Sequence, residues 1–385
     1  MSSHSLLAWI LCFGGLVAAQ SAPPADQRLR AVVQRHAEHC HALHRDAATA
    51  AVALQQAVQA LVATPTEATL LAARTAWIAA RVPYAQLEAL RGHGGPIDAV
   101  EPLLNAWPVD EAFIDAVVGR PAAGIVHDCK TFPVLSVPAL ELANERGSET
   151  NVSVGWHTIE FLLWGQDLDP KGPGQRPFTD FVDGVGVDAD RRRAYLELVT
   201  GRLVTHLQEL LTAWAPDADN FRRRFEREPR DALRRMLAGT LIHTTFELAG
   251  ERLAVAYETQ DQEQEHSCFS DTTGADLVNN QLGIIAVFDG GRGERKDADL
   301  LAYVRNRDPA VATLLEQSLQ KTLAALRLIP QPFDQAFRGA DDAPGRVSIR
   351  AALQALDAQA EAMAITGQLL GFDLPVRPAP GPGGR

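Results

Sequence analysis

Three short runs of this chain carry side chains able to hold a cation. In Gly155-Trp156-His157-Thr158-Ile159-Glu160 the histidine and the glutamate are three residues apart. On a helix that spacing puts both on one face, so an imidazole and a carboxylate converge on one cation or share one proton. The plainer reading is a buried histidine hydrogen-bonded to an acid. The run lacks the second histidine of the zinc motif His-Glu-x-x-His, which occurs nowhere in the chain. A second run is Arg81-Val-Pro-Tyr84-Ala-Gln-Leu-Glu88, followed by Gly94-Gly95-Pro96-Ile97-Asp98. A carboxylate four residues after a tyrosine, then a glycine-rich stretch ending in an aspartate, can present oxygen ligands around a cavity, or can simply be a solvated helix end and a turn. In the third run His36, Cys40 and His44 recur every four residues on one helical stripe beside His39, a spacing suited to zinc or copper. Packing of Cys40 in a core, with the histidines at the bundle edge, explains the same pattern.

Helices have to position these residues. From Leu29 to Val62 apolar positions recur at three- and four-residue offsets, predicting one long helix. Thr64-Pro65-Thr66-Glu67 reads as a capping box with Thr64 at the N-cap, and it opens a second helix towards Arg91 that bends or breaks at Pro83. Gly92 to Pro108 reads as a loop, Asp110 to Val118 as a short helix, and Ser153 to Trp164 as a helix stopped by Gly165. Asp169 to Gly186, rich in Pro, Gly and Asp, is the best linker and puts a domain boundary near residue 185. Long helices follow over Asp190 to Trp214, Arg230 to Tyr257, Pro309 to Leu328 and Ser348 to Leu370; Leu282 to Phe288 fits either a strand or a buried helix. Arg191-Arg192-Arg193 and Arg222-Arg223-Arg224 read as solvated helix faces, and His127-Asp128-Cys129 as a loop end.

Composition agrees with this pattern. The 385 residues are 46% hydrophobic, 22% charged and only 6% aromatic, which favours an all-α protein of about two domains. The net charge of −12 gives no positive field for phosphate backbones, so nucleic acid is excluded as an expected partner. Residues 1–19 read as a secretory signal cut after Ala19, too short to span a bilayer, which leaves a mature chain without a transmembrane segment. The expected location is therefore periplasmic or elsewhere in the cell envelope. Three cysteines remain after the cut, Cys40, Cys129 and Cys268, permitting one disulfide and one free thiol. Residues 375–385, mostly Pro and Gly, read as a disordered tail.

Taken with Glu247-Leu-Ala-Gly-Glu251-Arg252 and Gln264-Glu265-His266-Ser267-Cys268-Phe269-Ser270-Asp271-Thr272, the first two runs resemble the imelysin family, also known as insulin-cleaving membrane proteases. The resemblance implies two helical domains of four-helix-bundle type, residues 27–185 and 186–374, with a site in the cleft between them. It further implies His157 and Glu160 as metal ligands, with Glu88 and Asp98 added by similarity to iron-transport relatives. Arg81, Tyr84, Gly155, Glu247, Arg252, Ser267 and Asp271 would line the cleft. One histidine with three carboxylates suits a divalent or trivalent ion such as iron better than a thiolate site would. The implied function is iron uptake or homeostasis in the envelope, with envelope iron-uptake proteins as partners. A zinc metallopeptidase using Glu160, and a metal-free ligand- or partner-binding module, are the alternatives.

Overall fold

The computed structural model describes residues 25–374, apart from 170 and 292–297. The expected signal over 1–19 and tail over 375–385 lie outside the described residues. Helix α1 (Ala25–Ala63) follows from the long apolar stripe, and it lies along α2 (Glu67–Leu87). The cap between them differs from the expected one: Thr66, not Thr64, is the N-cap. Thr66 Oγ1 accepts from the Thr69 amide at 3.2 Å, and Thr69 Oγ1 accepts from the Thr66 amide at 3.0 Å. Thr64 still belongs to the end of α1, since its amide donates to Ala60. α2 runs unbroken through Pro83 and then tightens into a 3₁₀ turn at Glu88–Leu90.

The segment expected as a loop over 92–108 contains a helix, α3 (Pro96–Leu104), with Pro96 at its first turn, where the missing N–H costs nothing. Short helices α4 (Glu111–Ile114) and α5 (Val137–Ala143) lead to α6 (Trp156–Trp164), which ends at Gly165 as expected. The expected linker has no regular structure in its described residues except a 3₁₀ turn at Phe178–Phe181. Beyond it α7 (Ala189–Ala213) packs along α1 and against α6, so a helix on the C-terminal side of residue 185 shares a core with the N-terminal half. Its arginines are not solvated. Arg192 is buried and forks onto Asp115 at 2.6 and 2.9 Å, and Arg191 holds the carbonyls of Ile125, Val126 and Phe132. His127 joins this knot through Asp115 and Asp188. Arg223 and Arg224, on α8 (Phe221–Arg227), are exposed as expected.

The predicted helix over 230–257 forms, but not as one α-helix. α9 (Pro229–Ile242) widens into a π-helix (His243–Ala254) before α10 (Val255–Thr259). The ambiguous 282–288 run is helical, part of α11 (Thr273–Asp289). Then come α12 (Leu300–Arg305), α13 (Pro309–Arg327), α14 (Phe333–Phe337) and α15 (Pro344–Leu369), with α13 along α15 and α11 and the π-helix against α15. Among the described residues there is no strand, so the fold is all-α. The contact that positions the site is α2 on α11. Gly283 makes it close: a Cβ there would sit 2.3 Å from the Gln86 carbonyl oxygen. Among the described residues Cys40, Cys129 and Cys268 form no disulfide with one another.

The relocated cap yields a direct test. Thr66→Ala should lower stability by about 1 kcal/mol in urea unfolding, because it removes the hydroxyl that accepts from the Thr69 amide at the start of α2. Thr64→Ala should be close to neutral, and equal losses from the two would return the cap to Thr64.

Candidate functional site

Gly155 starts α6 at φ +90°, in the region that favours glycine, and a Cβ there would lie 2.5 Å from the Leu104 carbonyl oxygen. This is the physical role of the glycine two residues before His157: it lets the helix begin directly against the end of α3. Every residue of α6 is buried. His157 Nδ1 lies 2.8 Å from Glu160 Oε2, as the spacing predicts. The other oxygen of Glu160 accepts from the Ser270 amide at 2.9 Å and hydroxyl at 2.6 Å. His157 Nε2 has no partner among the described residues. Around that ring stand Trp107 and His266, with centroids at 5.0 and 4.6 Å.

A network of buried charges surrounds the pair. Glu88 receives both Arg252 amino groups, one of them at 3.0 Å, together with the side-chain amides of Asn105 at 2.8 Å and Asn280 at 3.0 Å. Arg81 spans Asn105 and Asp276, each at 2.6 Å. Asp276 also accepts from Ser267 Oγ at 2.7 Å and lies 3.4 Å from His266 Nδ1, while His266 Nε2 accepts from Asn105 at 3.2 Å. Tyr84 packs on Trp156 at 5.1 Å with its hydroxyl unpartnered. Two acids therefore face two guanidiniums, and the charges balance.

Burial would push the Glu88 and Asp276 carboxyls up. Arg252 beside the first and Arg81 beside the second more than reverse that, so both are held below the usual carboxylate range. Glu160 has no such partner, and burial pushes it up to about 8 against the weaker pull of the Ser270 hydrogen bonds. Burial, with His266 and Arg81 nearby, pulls His157 far down; burial and Arg252 pull His266 down to about 4. At neutral pH the centre therefore holds neutral imidazoles and a protonated Glu160.

The structure thus brings His157, Glu160, Glu88, Arg81, Tyr84, Arg252 and Ser267 into one buried neighbourhood. Asp98 lies apart from them, exposed in the first turn of α3, with Oδ1 accepting from the Gly92 amide at 2.8 Å. Glu247 is half-buried and paired with Arg91 at 3.0 Å. Asp271, at φ +56°, has one buried oxygen without a partner, and burial with Asp334 pushes it up to about 6. His36, Cys40 and His44 are buried in α1. Cys40 Sγ sits 3.3 Å from His36, and His44 Nδ1 donates to the Cys40 carbonyl at 2.7 Å. Trp214 and Phe225 pack on the His36 ring, so that stripe forms core contacts. Among the described residues no three His, Cys, Asp or Glu side chains are arranged to hold a metal ion. Sequence reasoning passed over Asn105, Ser270, Asp276 and Asn280. The last two lie four apart on one face of α11, a spacing blurred in the sequence by the neighbouring polar residues Asn279 and Gln281.

The imelysin family model matches residues 40–363 of this chain. Iron-regulated protein A of Synechococcus elongatus is 25% identical over 301 residues, covering 74% of this chain and 72% of that protein. Two solved structures share the fold. A Parabacteroides distasonis protein assigned as an iron-regulated protein A precursor superposes with a TM-score of 0.72 at 20% identity, covering 91% of this chain and 97% of its own. An imelysin-like protein from Psychrobacter arcticum gives 0.63 at 14%, covering 92% and 98%.

The raised carboxyl of Glu160 predicts a pH signature in metal-stripped protein. Its pKa near 8 when folded, against an ordinary 4.5, means the folded chain keeps a proton that the unfolded chain releases. That stabilising contribution is complete at low pH and is lost as pH rises through about 8. Glu160→Gln mimics the protonated acid, so its melting temperature should gain on the wild type steadily between about pH 5 and pH 8. A difference that stays flat across that range refutes the assignment.

Proposed function

Because the chain belongs to the imelysin family, we propose that it is an iron-handling protein of the bacterial envelope that takes up an iron ion at the His157–Glu160 pair. The supporting observation is His157 Nε2, a nitrogen buried beside Trp107 and His266 without a partner among the described residues, with a carboxyl fixed behind the other ring nitrogen. A carboxylate behind a ligating histidine sets its tautomer and raises its basicity. The name of the Synechococcus elongatus relative, an iron-regulated protein, supports iron as the cargo.

The residues fit such an ion in part. His157 has a free donor atom. Glu160 can supply a ligand oxygen only by releasing Ser270, and Glu88 only by leaving Arg252, which occupies both of its oxygens. Glu88 is thus best read as the residue that anchors Arg252 and the two asparagines around the centre. Asp98 has no part in it. For Nε2 to present a lone pair, the Glu160 proton must leave and Nδ1–H must donate to the resulting carboxylate, so uptake of a cation expels one proton. The peptidase alternative would require a polypeptide to reach side chains that are fully buried here.

Equilibrium binding of Fe(II) under anaerobic conditions tests the reading. His157→Ala should abolish uptake at this centre, and Glu160→Gln should weaken it about 10- to 100-fold. With one proton released per ion, wild-type affinity should rise about tenfold per pH unit between about pH 6 and pH 8. Wild-type affinity retained in the His157→Ala, Glu160→Ala double variant would sink the proposal.

A further inference from the structure

Six carboxylates from four stretches of chain form a seam beside the inner centre around His157. Glu111 starts α4 and Asp167 follows α6; Glu263, Glu265 and Asp271 lie in the 3₁₀ turn Gln262–Gln264 and the loop after it, and Asp334 is on α14. Hydrogen bonds hold these stretches together. Gln166 donates to Glu111 and Gln262 to Asp167, while Arg338 Nη2 spans Gln262 Oε1 at 3.0 Å and Asp334 Oδ2 at 3.5 Å. Glu263, Asp110 and Asp167 face Glu111; Asp271, Asp334 and Asp169 face Asp167; Asp261 faces Glu263. Positive charge is scarce. Among the described residues Arg338 makes the only ion pair with any of the six, and Arg120 pairs at 3.7 Å with Asp110.

Glu265 is the independent sign of what this seam binds. It is 0% exposed, and neither of its oxygens has a hydrogen-bond partner among the described residues; one oxygen each of Asp271 and Asp334 is also buried and unpartnered. A carboxylate cannot stay ionised in that position, so the occupant that fits is a proton. Burial pushes Glu265 well above the usual carboxylate range, with Asp271, Asp334 and Asp167 adding to the effect. Glu111 and Asp167 differ in being only half-buried, within reach of water. Burial and then Glu263 push Glu111 up to about 7, and burial and then Asp271 push Asp167 up to about 7. Neither hydrogen-bonds to His157 or Glu160.

We propose that this seam is a proton-operated latch on the loop that covers His157. The loop carries His266, whose ring lies 4.6 Å from that of His157, and Ser270, which holds Glu160. With Glu111 and Asp167 protonated, the stretch from Gln262 to Asp271 packs against them; when both release their protons to solvent, their charges repel Glu263 and Asp271 and the loop loosens. The sign follows from the raised carboxyls. Each binds its proton more tightly with the loop closed than with it open, so closure is favoured at low pH and loses that advantage as pH rises through about 7. The latch regulates access to the centre and does not require that the centre hold iron.

Hydrogen exchange of the metal-stripped chain, read by mass spectrometry and corrected for the intrinsic pH dependence of amide exchange, tests the latch. Glu160 titrates nearby and touches Ser270, so the measurement is made in a Glu160→Gln background. Protection of residues 262–271 should fall about tenfold or more between about pH 5.5 and pH 7.5, while protection of α1 stays constant. Adding Glu111→Gln and Asp167→Asn together should preserve the low-pH protection at the higher pH. If that pair costs α1 its protection, Glu263→Gln, on the loop side of the seam, must show the same preservation instead. Protection that is flat with pH in the Glu160→Gln chain, or that falls equally with and without the seam substitutions, overturns the latch. Either result leaves the iron reading to its own binding test, and loss of iron binding leaves the latch standing.

Discussion

The two buried ion pairs that cross from α2, Arg81 to Asp276 of α11 and Glu88 to Arg252 of the π-helix, are the constraint around which this fold is arranged. A charge taken out of water is costly unless its partner and its remaining hydrogen-bonding atoms are also supplied, and removing one member of such a pair typically costs about 3–5 kcal/mol. Asn105 and Asn280 supply the remaining bonds to Glu88, and Ser267 supplies one to Asp276. Those residues come from the end of α3, from α11 and from the loop before it. Five parts of the chain, α2 with its 3₁₀ turn, the end of α3, the π-helix, the loop before α11 and α11 itself, are thus fixed together by electrostatics. Gly283 serves the same end by allowing α11 to approach α2 closely enough for the pairs to form.

His157 and Glu160 sit inside this frame without a charge of their own. No guanidinium pairs with Glu160, so burial keeps it protonated, while Glu88 and Asp276 stay ionised next to their arginines. Three buried acids in one neighbourhood thus take two protonation states, decided by where the arginines point. On the proposed reading, a cation entering at His157 would meet a centre that is neutral overall, and release of the Glu160 proton would supply the negative charge to hold it.

Much of the frame was legible in the sequence, for identifiable reasons. Helix periodicity located α1, α2, α7, α13 and α15 to within a few residues, because an apolar stripe over five or more turns is a strong local signal. The three-residue spacing of His157 and Glu160 was equally local, and the structure pairs them. What was missed depends on distance along the chain. Arg192 resembles a solvated arginine until Asp115 arrives from 77 residues away to neutralise it. Asp98 was placed with Glu88 by the glycine-rich stretch between them and by resemblance, whereas Pro96 starts α3 and leaves Asp98 exposed in its first turn. The cap moved from Thr64 to Thr66 because α1 runs one residue longer than its apolar stripe and keeps the Thr64 amide for itself. The π-helix has no sequence signature, since its residues show ordinary helical polarity; it packs on α15 and carries Arg252 to Glu88.

The walls of the inner centre are not equally hard to open. On one side stand α6, packed on α2, and the pair α2 and α11, tied to each other by the Arg81–Asp276 ion pair, whose rupture costs several kcal/mol. On the other side stand Trp107, in the irregular stretch after α3, and the loop from His266 to Ser270 that leads into α11. That loop is held to Glu160 by two bonds from Ser270 to an uncharged acid, each worth about 1 kcal/mol. Its ties to the ionic frame are single hydrogen bonds from neutral donors, Ser267 onto Asp276 and Asn105 onto His266, and the Gly174 amide holds the Phe269 carbonyl. Any motion that exposes His157 therefore follows the loop before it follows the helices. The same displacement of Ser270 would free one Glu160 oxygen while the other stays on Nδ1 of His157, so the carboxyl keeps its place behind the imidazole as the centre opens.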